Sequence, residues 1–116
     1  LKLAQLQMRA LLWLYPTDFR ETSCITAMEN MASGTVPICT SLAALNETVG
    51  PERGILIKPF NREPRYEKEF LSAIKMLVED NEKRESMARL GREHALANLS
   101  WDGVAKQWEQ IFAGQP

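Results

Sequence analysis

A chain of 116 residues fits one ordinary domain, which is large enough to bury a core but too small for an enzyme built of two α/β lobes. Its 14 basic and 15 acidic residues are interleaved and leave a formal net charge of -1, which argues against nucleic acid as a partner. The longest apolar run is far shorter than the roughly 20 residues of a membrane-spanning helix, so we expect at most a peripheral membrane contact.

The chain begins with the pattern of a strand between two helices. Residues 1–9 have helical spacing, and residues 10–15 form a continuous apolar run that stops at a proline. Such a run predicts a strand buried on both faces, as in a parallel sheet covered by helices. After a polar loop, Ser23 is positioned to cap a helix over residues 24–32, which ends where Gly34 supplies a left-handed residue.

Two further strands are predicted, with a short helix between them. Residues 35–40 form the second strand, in which Pro37 removes a backbone donor and disfavours a central place in the sheet. Residues 54–58 form the third strand, and residues 45–49 form the short helix. Strands that alternate with helices predict an α/β fold, with a Rossmann-like parallel sheet of three or more strands and right-handed crossovers.

The second half of the chain is helical in pattern. One helix follows Pro64, Asn81 is positioned to cap a second helix, and Ser100 is positioned to cap a third. We expect all three to pack their apolar faces inward, on the sheet or on a neighbouring domain. These faces comprise Phe70, Leu71, Ile74, Leu77 and Val78, then Met87, Leu90 and His94, then Trp101, Val104, Trp108 and Phe112.

Cysteine and histidine do not have the spacing of a metal site. Cys24 and Cys39 lie in separate segments, and His94 lies far along the chain on a charged helix, so we expect no bound metal. Free thiols indicate a reducing compartment, here the cytoplasm. At a predicted helix start, Cys24 is either a reactive thiol of lowered pKa or a buried and inert one.

A pair of acidic residues carries the hypothesis of a binding site. Glu21 precedes the predicted second helix, and Glu29 lies within it. The start of this helix presents free amide groups and a positive dipole end to the carboxyl ends of the strands, where a diphosphate binds readily. The two oxygens of Glu29 suit the vicinal hydroxyls of a ribose, and Glu21 can accept from a transferred sugar. The plainer interpretation is two solvated charges.

These residues resemble a known family. The segment from Glu21 to Glu29, with the following NMASGTVPICT, is similar to the Glu-x7-Glu motif and strand of glycosyltransferase family 4. NETVG, GILIKP and LSWD further along resemble that family too, so the likeness covers nearly the whole chain. It implies that residues 1–116 are the C-terminal, nucleotide-sugar-binding domain of a GT-B architecture. The helical start without an initiator Met is expected of a piece of a longer protein.

The resemblance implies a retaining transferase that moves a sugar from a nucleoside-diphosphate sugar to an acceptor hydroxyl, in polysaccharide or glycoconjugate synthesis. No metal or other cofactor is obligatory in that chemistry. By matching position, Glu21 is the catalytic candidate that holds the sugar, and Glu29 holds the ribose. The acceptor-binding domain lies upstream, so the piece alone is expected to be inactive. The backbone contacts to the sugar and diphosphate come from Thr22, Ser23, Cys24 and Ile25.

The chain departs from the family pattern at two places. Thr22-Ser23-Cys24-Ile25 stands where the family usually has Gly-Phe-Gly-Leu, and Ala43-Ala44 stands where it commonly has a pair of glycines. Without glycine, close approach of the backbone to a sugar is less favourable. Two alternatives therefore stay open: a noncatalytic nucleotide-binding or interaction module, and a nucleotide-sugar epimerase of the same architecture.

Overall fold

The computed structural model describes residues 2–59 and 63–114, which form a three-stranded parallel sheet with helices packed against it. The strands are β1 (Leu12–Tyr15), β2 (Val36–Thr40) and β3 (Ile55–Ile57), in the spatial order β1-β2-β3. The predicted α/β fold with an open parallel sheet is confirmed.

In the part of the chain that the structure describes, six α-helices connect and cover the strands. The fourth begins with a proline, a residue well suited to the first helical turn because its missing amide hydrogen would have no partner there. Among the described residues, no helix is both long and apolar enough to cross a membrane. The helices are α1 (Lys2–Arg9), α2 (Ile25–Ala32), α3 (Leu45–Thr48), α4 (Pro64–Glu79), α5 (Asn81–His94) and α6 (Trp101–Phe112), and a π-helical turn (Ala95–Leu99) joins the last two. Leu1, which belongs to the predicted first helix, lies outside the described residues.

β2 is the central strand, although it contains a proline. Pro37 is in register with Trp13 of β1, whereas the pairing with β3 begins one residue later, where Ile38 lies opposite Ile55. The residue without an amide hydrogen therefore precedes the ladder with β3. The expectation that Pro37 disfavours a central strand is wrong for this reason, and all five residues of β2 are buried.

The apolar run at β1 becomes an edge strand of the described sheet, not a strand buried on both faces. Leu12, Trp13 and Tyr15 are half-buried, and Leu14 is 46% exposed. β1 pairs with β2 along one edge, and the helices of the described chain cover its faces incompletely. The run therefore predicts the strand but not its degree of burial.

The core consists of two clusters, one on each face of the sheet. Val36 and Ile38 contribute to one cluster and Cys39 to the other, because successive side chains of a strand point to opposite faces. The cluster under α2 and α3 comprises Cys24, Ala27, Met31, Cys39, Leu45, Val49 and Ala95. The cluster under α4 and α5 comprises Val36, Ile38, Ile57, Phe70, Ala73, Leu77 and Met87.

The predicted inward face of α4 is only partly right. Phe70 and Leu77 are buried together with Ala73, whereas Leu71 and Val78 are 63% and 51% exposed. The buried positions follow a narrow stripe with spacings of three and four residues. A helix that packs on a small sheet covers fewer of its apolar residues than the sequence pattern suggests.

The aromatic residues of α6 are exposed, so the described chain does not cover them as packing on the sheet predicts, whereas Val104 is half-buried and packing on a neighbouring domain stays a prediction. Trp101, Trp108 and Phe112 are 90%, 55% and 81% exposed, and Gly103 is the buried residue of this helix. The predicted cap is confirmed, because Ser100 Oγ accepts a hydrogen bond from the Gly103 amide at 3.1 Å. α6 therefore contacts the remainder of the domain mainly through its first turn.

The other two predicted caps are each displaced by one residue. α2 begins after Cys24, and the side chain of Ser23 does not cap it. α5 begins at Asn81 with Asp80 as its cap, whose carboxylate accepts from the Lys83 amide at 3.0 Å. A carboxylate at a helix start also interacts favourably with the helix dipole, which explains why Asp80 takes this position.

Candidate functional site

The candidate site lies at the carboxyl edge of the sheet, where β1 ends at Tyr15. A loop over residues 16–24 leads from there into α2, whose first residue is Ile25. In an open parallel sheet, this is the edge at which loops and helix N-termini converge and ligands bind. The loop carries Glu21 close to the start of α2.

Two hydrogen bonds hold this loop against the segment that follows β2. The backbone carbonyl of Glu21 accepts from the Ala44 amide at 3.2 Å, and the carbonyl of Ser23 accepts from Thr48 Oγ1 at 3.2 Å. Ser23 therefore takes part in this connection through its backbone carbonyl, while its side chain is exposed. The conformation of the candidate site depends on both connections at this edge of the sheet.

The thiol of Cys24 lies at the N-terminus of α2. The carbonyl of Cys24 accepts from the Ala27 amide at 3.1 Å, which closes the first helical turn. Burial raises the pKa of the Cys24 thiol, and the amide of Ala27 opposes this shift to a smaller extent. Burial also raises the pKa of Cys39, to about 12. Both free thiols are therefore protonated near neutral pH, which favours the inert interpretation of Cys24.

Two residues have a left-handed backbone, at positions where the family that the sequence resembles has glycine. Cys24 has a φ of 61° and Ala43 has a φ of 48°. Glycine adopts this region freely, whereas a side chain there costs about 1–2 kcal/mol. The departures noted in the sequence therefore add side chains at positions whose backbone conformation suits glycine.

We expect Ala43→Gly to stabilise the domain by about 0.5–1 kcal/mol, because it relieves the left-handed strain by more than it adds to the disorder of the unfolded chain. Equilibrium denaturation of the two proteins measures the difference. Ala105→Gly in α6 is the matched control and lowers the free energy of unfolding by up to about 1 kcal/mol, since its backbone is helical. Destabilisation by Ala43→Gly would show that this position is not strained.

The two glutamates of the predicted pair have different partners. Glu21 is half-buried, and its Oε1 accepts a hydrogen bond from the Tyr15 hydroxyl at 2.6 Å. Glu29 is exposed on the second turn of α2, and its Oε2 accepts from Gln7 Nε2 of α1 at 3.4 Å. The Glu21 carboxylate is thus held at the carboxyl edge of the sheet, whereas the Glu29 carboxylate lies beside α1.

A cleft of about 440 Å³ borders the same loop. It runs from the loop and α3 to the wall formed by the end of α5, the π-helical turn and α6. The sequence pattern does not predict this wall, because a π-helical turn has no periodicity that the sequence displays. Burial lowers the pKa of His94 in this wall, and the nearby Arg53 lowers it further. The lining residues are Thr22, Ser23, Met28, Ala44, Glu47, Thr48, His94, Asn98, Leu99 and Gln107.

The cleft includes part of the predicted site. Thr22 and Ser23 line it, whereas the other predicted residues, Glu21, Cys24, Ile25 and Glu29, are not among its lining residues. The Ile25 side chain is 68% exposed at the start of α2. In the described part of the chain, no group of three or more His, Cys, Asp or Glu side chains is arranged to hold a metal ion.

No family model and no curated protein matches the sequence of this chain. The fold is similar to the solved structure of sucrose-phosphate synthase from Thermosynechococcus elongatus, with a TM-score of 0.77 and 27% sequence identity. The similarity covers 97% of this chain and 27% of that chain, so the chain spans about a quarter of the length of its structural neighbour. The structure therefore resembles a domain of a GT-B glycosyltransferase.

Proposed function

We propose that this chain is the C-terminal, donor-binding domain of a retaining glycosyltransferase of family 4. In this proposal a longer protein supplies the acceptor-binding domain, and the two together transfer a sugar from a nucleoside-diphosphate sugar to an acceptor hydroxyl. The reaction belongs to polysaccharide or glycoconjugate synthesis in the cytoplasm, with at most peripheral contact to a membrane. It needs no obligatory metal or other cofactor.

The observation that carries the proposal is the position of Glu21 beside the start of α2 at the carboxyl edge of the sheet. A helix N-terminus attracts the diphosphate through its amide groups and dipole. A carboxylate close to that end has acceptor oxygens for sugar hydroxyls. The likeness to a sucrose-phosphate synthase supports glycosyl transfer as the general kind of function.

In the proposal, Glu29 is the residue that binds the hydroxyls of the ribose. Its hydrogen bond with Gln7 is part-buried but, at 3.4 Å, longer than a usual N–H···O hydrogen bond, so giving it up costs little free energy. Two vicinal hydroxyls make a better-matched pair of donors for the carboxylate than one distant amide does. In the proposal, the ribose therefore takes the place of Gln7 as the partner of Glu29.

The proposed transfer breaks the bond between the anomeric carbon and the diphosphate oxygen. The acceptor hydroxyl attacks from the face that the diphosphate leaves, its oxygen bonds to the anomeric carbon, and its proton passes to the diphosphate. The α2 amide groups and cations of the upstream domain stabilise the charge on the departing diphosphate. Because both the acceptor and these cations are bound upstream, residues 1–116 alone bind the donor but are inactive.

Calorimetric titration of the chain with UDP, GDP and ADP, and with the corresponding glucose esters, tests the proposal. We expect weak binding of one nucleotide series and tighter binding of its sugar ester. Glu29→Gln should weaken both ligands of that series roughly tenfold, since the ribose is common to them. Glu21→Gln should remove the advantage of the sugar ester and leave the affinity for the free nucleotide unchanged.

Glu109→Gln is the control, because Glu109 is an exposed carboxylate of α6 outside the candidate site. It changes the net charge as the two test variants do and should leave every affinity unchanged. The proposal is wrong if no nucleotide binds to the unaltered chain, or if Glu29→Gln binds its nucleotide as tightly as Glu109→Gln does.

A noncatalytic nucleotide-binding module is the second candidate, and the Cys24 side chain favours it. Family members usually have glycine where this thiol lies at the N-terminus of α2, and the thiol takes up space close to the amide groups that a ligand would contact. Such a module would bind the nucleotide and its sugar ester equally well. Equal affinities in the same titration, together with weakening by Glu29→Gln, would select this candidate.

A further inference from the structure

Tyr15, the last residue of β1, is in direct contact with Glu21, the residue proposed to bind the donor sugar. The Tyr15 hydroxyl donates a hydrogen bond of 2.6 Å to Glu21 Oε1. The ring of Tyr15 stacks on that of Trp13, with 4.9 Å between the ring centroids and an angle of 27° between the planes. Tyr15 is therefore fixed by its strand, by its neighbour on the same strand face and by the carboxylate.

The protonation state of Tyr15 is that of a hydrogen-bond donor. Its hydrogen bond to Glu21 raises the pKa of the Tyr15 phenol, and a weaker influence of Thr17 acts in the opposite direction. The phenol is therefore protonated across the physiological range and donates its proton to the carboxylate. Glu21 Oε1 therefore has a protonated donor within hydrogen-bond distance.

The backbone and side chain of Glu21 are thus held separately. The Ala44 amide holds its carbonyl at 3.2 Å, and Tyr15 holds its carboxylate at 2.6 Å. A glutamate side chain has several rotamers, and ordering them costs entropy that would otherwise weaken ligand binding. Because Tyr15 binds and orders the carboxylate through Oε1, Oε2 is the oxygen better placed to accept a hydrogen bond from another donor.

We propose that Tyr15 is a positioning residue, which orders the Glu21 carboxylate so that Oε2 can accept a hydrogen bond from a hydroxyl of the donor sugar. This inference rests on the proposed function, in which Glu21 is the sugar ligand. Tyr15 acts through Glu21 and contacts neither the nucleotide nor the diphosphate.

Tyr15→Phe removes the hydroxyl and keeps the ring that stacks on Trp13. It should reduce the affinity for the nucleotide-sugar up to roughly tenfold, because the Glu21 side chain must then be ordered on binding, without changing the affinity for the free nucleotide. Tyr66→Phe is the matched control, because it removes a phenol that forms a 2.7 Å hydrogen bond with Thr40 Oγ1. An equal loss of both affinities in Tyr15→Phe, or the same loss in the control, would overturn the inference.

A pH titration of Tyr15 tests this inference separately from the proposed function, since the titration requires no ligand. The chain has two tyrosines, so Tyr15 is the sole phenol in a Tyr66→Phe background. There Glu21→Ala should lower the pKa of Tyr15 towards its ordinary value, as followed by the ring carbon resonances, whereas Glu109→Ala should not. An unchanged pKa in Glu21→Ala would refute the contact itself. A lowered pKa in a chain that binds no nucleotide would confirm the contact and refute the sugar-binding role.

Discussion

Gly103→Ala lowers the free energy of unfolding by about 3 kcal/mol, since the added methyl group has no room. A Cβ at this position would lie closer than 3.0 Å to the carbonyl oxygen and carbon of Ala97. Both atoms belong to the backbone of the π-helical turn and cannot rotate away as a side chain can. The first turn of α6 would have to separate from that turn, which disturbs the wall of the cleft and the hydrogen bond from Gln107 Nε2 to the Asn98 carbonyl.

Gly91→Ala is the control for this substitution, because Gly91 is also a buried glycine of a helix. A Cβ there would meet its nearest neighbours, including Arg53 and Met31, at 3.7–3.8 Å, which is ordinary van der Waals contact. We expect Gly91→Ala to stabilise the domain by about 0.5–1 kcal/mol, since alanine favours the helix. Denaturant unfolding of the two variants should give changes of opposite sign. Equal changes would mean that α6 can shift without cost.

The positions of the strands could be predicted from the sequence because each coincides with a short apolar run between turn residues. The predicted order of strands and helices is confirmed, and Gly34 has the expected left-handed backbone, with a φ of 84°. The strand neighbours of Pro37 could not be predicted. The cost of its missing amide depends on where the ladder with β3 begins, and that register is a property of the assembled sheet.

The burial of apolar residues was overestimated at the ends of the chain. The patterns of β1 and α6 predict covered faces, yet Leu14 and Trp101 are 46% and 90% exposed. An apolar stripe reports which side of an element avoids water, but not whether the same segment of chain supplies the atoms that cover it. The prediction that the aromatic residues of α6 pack on the sheet is therefore wrong, and their packing on a neighbouring domain stays a prediction.

The candidate site could be predicted only in outline. The pattern around Glu21 predicts a carboxylate before a helix, and the structure places Glu21 there. The sequence pattern contains no signal that Tyr15, six residues earlier, donates a hydrogen bond to the same carboxylate. That contact depends on the path of the loop, which is held by Ala44 and Thr48 from a distant part of the chain.

Met31→Ala should have a second large effect, because Met31 joins α2 to the core beneath the candidate site. Its side chain is 1% exposed, and it packs in one cluster with Ala27, Cys39 and Leu45. Truncation of a buried methionine removes apolar contacts and leaves a cavity, which costs about 2–5 kcal/mol. We expect a decrease of roughly 3 kcal/mol in the free energy of unfolding, measured by denaturant titration.

Met8→Ala is the matched control, since Met8 lies on α1 with 63% of its surface exposed, and its truncation should change the free energy of unfolding by less than about 0.5 kcal/mol. The contrast bears on the candidate site as well as on stability. A cavity under α2 lets this helix tilt on the sheet, so Met31→Ala should also reduce the effect of Glu21 on the pKa of Tyr15 under conditions in which the variant is still folded. If the free energy falls while the titration of Tyr15 is unaltered, the loop alone determines the geometry of the carboxylate, and packing of α2 has no part in it.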